Sequence, residues 1–248
     1  FAFNSWNSKE NKKTNWSYLL IIGIIGGGLA FLLFFNGLKL TTAGRAAFYQ
    51  KTLALYVLVF AFFFLKEKIT KKQLIAMLAM FAGTIIILTS TISPSELWLN
   101  PQVGDLLVIC ATILWAVEST LAKKAMLKGE HNFVVSFARM FFGAILLFGI
   151  AILTKKLNLI FTLTSTQWLY ILISTLILFF YILTYYWAIK NINVSKATSI
   201  LLLSPVITLI LGTVFLGEPV TIIQVVGSVV ILIGAYFILT VKSEFSKV

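Results

Sequence analysis

The chain has one cysteine, one histidine and eight acidic residues in 248 positions, and each scarcity removes a class of chemistry. Cys110 alone rules out an internal disulfide and a cysteine-based metal cluster, and its apolar surroundings make it a small packing residue. His131 lies in a polar connection, so neither a multi-histidine metal site nor a Ser/His/Asp set can be built around it. No P-loop is present to hold a nucleotide. Charged residues are only 11% of the chain, where a soluble domain has about a quarter. Hydrophobic residues are 60%, so the polar coat that a water-soluble fold needs is missing.

What fills the chain instead is a succession of apolar runs of 18 to 24 residues. Each is long enough to cross roughly 30 Å of hydrocarbon as a helix. Reading the runs between polar breaks predicts eight helices, at about 16–38, 44–65, 73–90, 104–123, 133–153, 167–189, 194–216 and 221–241. An open sheet could not satisfy its own backbone in lipid, so the expected class is an all-α polytopic membrane protein.

The formal charge of +12 would suggest nucleic acid in a soluble protein. Its distribution excludes that partner. Fourteen lysines fall in the tails and loops on one side of the predicted spans, against four basic residues on the other (Lys39, Arg45, Lys155 and Lys156). This asymmetry is an orientation signal. It predicts a multi-pass protein of the cell membrane, with both ends of this chain cytoplasmic and the bilayer as its basic partner.

Two short phrases, "FLKEKIT" at 64–70 and "FLGEPVT" at 215–221, belong to a longer internal match. Sliding the chain by 151 residues aligns 62–89 with 213–240 without a gap and with nine identities, among them Glu67/Glu218, Thr70/Thr221, Gln73/Gln224 and Gly83/Gly234. The same offset brings Lys39 onto Lys190 and Ala46 onto Ala197. Five helices separate equivalent positions, so the halves have opposite orientations in the membrane, as in many secondary transporters. The second repeat, 104–248, has five helices, and the first, 1–91, has three. The expectation is two inverted five-helix repeats, with the first two of ten helices absent and "FAF" at 1–3 the tail of one of them. A genuine eight-helix protein is the alternative.

This pattern resembles the EamA-type permeases of the drug/metabolite transporter superfamily. The resemblance rests on the two "F-L-x-E-x-[IV]-T" endings, on "GDLLVICATILWA" at 104–116 and on "TYYWAIKNINVSKATSILLLSPVITLILGTVFLGEPVT" at 184–221, which includes Pro205 in mid-helix. It covers essentially the whole chain, and the first copy departs from it at "LKEK". The resemblance implies a transporter of small metabolites, amino acids or drugs that works by alternating access around a cavity between the repeats.

Ionisable groups inside spans are expensive and therefore candidate functional residues. Glu118 and Arg139 lie at one depth on successive helices and can pair, either as a brace or as a gate that exchanges a proton or substrate charge. Lys51 has no acid at its level. It either snorkels outward or offers a cation to a carboxylate or phosphate substrate, or to an acid in absent helices. Trp115 shares a helix face with Glu118. Tyr181 and Tyr185 are the candidate cavity aromatics, whereas the "YYW" at 185–187 reads mainly as an interfacial belt. Gln50 is expected on a different face from Lys51. Glu67 and Glu218 are read as caps on the helix that follows each, and Pro205 as a backbone break against a cavity. Gly23 and Gly27 read as close helix packing.

The reading is therefore a secondary transporter of small organic solutes, not an enzyme, with no cofactor and no metal, a monomer or homodimer, with proton coupling open. Its rivals are a membrane-embedded enzyme acting on lipid, which would need convergent acid/base groups, and a passive channel, which would need a ring of like polar residues.

Overall fold

A computed structural model describes residues 15–90 and 99–241. The expected helix remnant at 1–3 and the polar tail after 241 lie outside these residues. The described residues form helices and no strand. Eight are long and apolar enough to span a bilayer: α1 (Trp16–Leu38), α2 (Ala43–Leu65), α3 (Lys71–Leu88), α4 (Val103–Leu127), α5 (Asn132–Leu153), α6 (Ser165–Asn191), α7 (Val194–Leu216) and α8 (Ile222–Thr240). They alternate in direction. Contacts such as Glu67 with Val194 and Lys196 with Val241 gather the lysine-rich turns at one end, and Arg45 with Asp105 marks the other.

Local chemistry starts these helices. Thr70 accepts a hydrogen bond from Gln73 N at 3.1 Å, and Thr221 accepts one from Gln224 N at 3.3 Å. Gln224 Oε1 in turn accepts from Thr221 N at 2.9 Å, which completes a capping box. The repeated threonines are therefore the caps of α3 and α8, and the glutamine completes a box only at α8. The glutamates that precede the threonines do not cap these helices, which corrects the sequence expectation. A carboxylate placed three residues before the N-cap lies too far back to reach the first free amides.

The two repeated turns also share a backbone conformation. Lys66 and Gly217 are 151 residues apart, and both adopt left-handed φ, at 53° and 67°. Glycine takes that conformation freely, whereas a side chain costs about 1 kcal/mol there. Lys66→Gly should therefore stabilise the protein by roughly 0.5–1 kcal/mol, read as a rise in the thermal midpoint of the detergent-solubilised protein.

Lipid supplies no hydrophobic drive between helices, so close backbone approach has to hold the bundle. The tightest seam joins α3 to α8. A Cβ at Gly83 would press on Gly227 O, and one at Gly234 on Met80 and Ala76 O. The second seam joins α1 to α5. There Gly27 lies against the Arg139 carbonyl and Gly143. The middle of α1 is wound as a π-helix, Gly23–Leu29, a local widening common at functional sites.

One break begins later than the sequence reading placed it. The pair at 123–124 was expected to end its helix, yet α4 continues to Leu127. Lys123 is buried, and its Nζ donates to Ile189 O at 2.6 Å and to Ile192 O at 3.0 Å. A lysine can stay inside because the free carbonyls at the end of α6 take its protons.

Candidate functional site

The site is built around α4, the most enclosed helix of the bundle. Glu118 is completely buried on it, and a Cβ at Gly26 of α1 would overlap its side chain. Only glycine leaves room for the carboxylate at that crossing. Arg139 Nη1 on α5 lies 3.2 Å from Glu118 Oε2, and the Tyr186 hydroxyl on α6 donates to Oε1. Arg139 Nη1 also donates to the Tyr186 oxygen at 3.4 Å. One turn before Glu118, the Trp115 indole N–H donates to Gly26 O at 3.1 Å. Four helices are thus tied at one depth. A charge in a dry interior persists only when paired in this way.

Beside this trio lies a cavity of about 270 Å³. Phe31 and Phe34 of α1 line it with Trp115, both with ring centroids 5.2 Å from the indole. Tyr181 and Tyr185 of α6, with centroids 5.7 Å apart and stacked, form another side. Arg139, Ser119 and Thr198 add polar atoms. Gln50 and Lys51 of α2 face Leu201, Leu202 and Ser204 of α7 across it.

Both of these facing helices are interrupted where they meet the cavity. Regular α-helix in α2 breaks at Thr52, between Ala43–Lys51 and Leu53–Leu65. In α7 the residues Leu201–Leu203 tighten to a 3-10 turn before Pro205, which stands in the first turn of the helix that resumes at Ser204. Positions 50–52 and 201–203 are equivalent under the 151-residue offset. Lys51 Nζ donates to Ser204 Oγ across the gap.

The two ends of the bundle are held by different groups. At the lysine-rich end Glu67 is buried and reaches α7, the helix of the other half. Its Oε1 accepts from Val194 N at 2.7 Å, and its Oε2 from Ser195 Oγ at 2.6 Å and Ser195 N at 3.2 Å. Gln73 Nε2 donates to the same Ser195 hydroxyl oxygen at 2.9 Å. Glu67 is thus a cap after all, on a helix far away in sequence, whereas Glu218 is exposed. At the opposite end Arg45 pairs with Asp105, and Thr41 Oγ1 donates to Asp105 Oδ1 at 2.6 Å.

Six residues were singled out in the sequence as binding or coupling candidates, and five of them line the cavity: Lys51, Arg139, Trp115, Tyr181 and Tyr185. Glu118 stands behind Arg139. Gln50 shares the wall with Lys51, contrary to expectation. Tyr186 is not part of an interfacial belt. It is fully buried against Glu118, and only Trp187 of the "YYW" is exposed. Gly26 and the Asp105–Arg45 pair were missed. The run of four glycines at 23–28 was the available signal for the first, and "GD" at a helix start for the second.

A bundle of membrane-spanning helices around a polar and aromatic cavity at mid-depth is the architecture of a membrane transporter. The family model for the EamA-like transporter family matches residues 1–89 and 102–240, and the chain belongs to that family. It is 27% identical over 235 residues to the uncharacterized transporter YyaM of Bacillus subtilis (strain 168), covering 94% of this chain and 76% of that protein. It is 27% identical over 232 residues to protein PecM of Dickeya dadantii (strain 3937), covering 92% and 75%. A solved crystal structure superposes with a TM-score of 0.71 at 16% identity over 96% of this chain and 82% of its own, a likeness of fold.

Proposed function

We propose that this protein is a secondary transporter that carries small organic solutes (metabolites, amino acids or drugs) by alternating access. The observation that supports it best is the cavity between α2 and α7, where two helices 151 residues apart in register are broken at equivalent points. Rocking of one half against the other about these breaks would expose the cavity first at one end and then at the other. On this reading the Glu67 clamp on α7 and the Arg45–Asp105 pair are the contacts that part in turn. The lysine-rich end faces the cytoplasm. Glu118, the buried acid of the trio, is the residue through which a proton gradient would act.

The test uses the full-length protein in liposomes, loaded with a panel of labelled solutes and assayed with and without a proton gradient. Solute exchange that requires the protein is expected, faster with the gradient imposed. Liposomes that leak every solute equally would point to a channel and overturn the reading. For orientation, a Lys128→Cys variant lacking Cys110 should react with an impermeant maleimide only after the cells are opened.

A further inference from the structure

We infer that the cavity takes a small organic monoanion, a carboxylate on an apolar or aromatic body, seated on Lys51. The inference rests on the transport reading and names the substrate class for the same cavity. Lys51 enters from the broken turn of α2, and among the described residues its ammonium finds one hydrogen-bond partner, the Ser204 hydroxyl. That hydroxyl donates its own proton to Leu201 O at 2.9 Å, so it meets the ammonium as an acceptor. An ammonium has three donors, and two are left for a ligand. The neighbouring Gln50 amide lines the same wall and makes no hydrogen bond among the described residues.

The sign and the size of the charge follow from the lining. Among the described residues no carboxylate lines the cavity. Its other cation, Arg139, is already paired with Glu118 behind it. The described wall therefore presents one uncompensated positive charge in a poorly solvated place, where an unpaired ion is costly. One carboxylate neutralises it. A phosphate ester dianion would bring a second charge with no partner. An amine would be repelled, and a zwitterionic amino acid would leave its ammonium without an acid. Phe31, Phe34 and Trp115 fill the remaining wall and offer ring faces to an apolar body.

Calorimetric titration of the full-length protein in phosphatidylcholine nanodiscs tests this with four matched probes: phenylacetate, phenylacetamide, phenethylamine and phenylalanine. Phenylacetate should bind at least tenfold more tightly than the amide, with the amine and the amino acid weaker still. Lys51→Arg should keep that preference, and Lys51→Met should abolish it. Equal binding of acid and amide by the unaltered protein, or a preference that survives in Lys51→Met, would overturn the inference. So would loss of phenylacetate binding in phosphatidylglycerol nanodiscs, which would assign the cation to a lipid headgroup. Liposome uptake separates the two readings. Anion-selective binding without uptake removes the transport reading alone, and equal uptake of acid and amide removes the monoanion alone.

Discussion

Arg139→Met should cost the folded protein about 3–5 kcal/mol, because it leaves Glu118 charged, wholly buried and unpaired. The loss is read as a fall in the thermal midpoint of the full-length protein in detergent. Two features make it large. Gly26 packs directly against the carboxylate, so α1 closes that side of it. The Tyr186 hydroxyl is the one remaining donor to the acid, and a single hydrogen bond does not offset the desolvation of a full charge. The double variant Arg139→Met with Glu118→Gln should recover most of the lost stability, since a neutral amide no longer needs a counter-ion. Solute uptake should not recover with it, because the guanidinium that lines the cavity is gone. Uptake that returns together with stability would reduce the trio to a brace.

The second large effect is expected at the repeated glutamates. Glu67→Ala removes the acceptor of three hydrogen bonds at the start of α7, two of them from backbone amides that have no other partner there. Bonds to a charged acceptor are each worth about 1.5–3 kcal/mol, and here they also join the turn after α2 to the start of α7. A net loss of about 2–4 kcal/mol follows. Glu218→Ala, in the matching phrase 151 residues on, should stay within about 0.5 kcal/mol, because that side chain is exposed. Equal effects at the two positions would mean that the clamp on α7 is not what holds Glu67 in place.

These two glutamates mark where the sequence stopped being readable. Their identity and spacing were the signal read as an internal repeat, yet the same residue type in the same phrase has opposite environments. The local sequence around each is nearly the same, so it carries no information about which distant helix start lies within reach. The two threonine caps and the Thr221–Gln224 box were legible in principle, because such bonds close within four residues and require nothing from the rest of the chain.

The three residues 185–187 carry the same lesson around a helix. Successive positions point about 100° apart. Tyr185 therefore faces the cavity, Tyr186 the Glu118 carboxylate, and Trp187 the outside. Composition placed all three near one end of α6 but could not say which of them turned inward. Glu118 and Arg139 were easier, since depth along two successive helices follows from the rise per residue alone.

The sequence by itself determined the eight spans, their alternation and the local threonine caps of α3 and α8. These depend on the length of apolar runs and on bonds closed within one turn of chain. Tertiary structure alone decided the rotation of each helix about its axis. That rotation set Gly26 against Glu118, Lys51 against Ser204, and Glu67 beneath α7. The reason is that lipid and protein interior are equally apolar, so hydrophobicity places a helix in the membrane without choosing which face meets its neighbours. That choice is made by shape and by the few polar groups that must find partners.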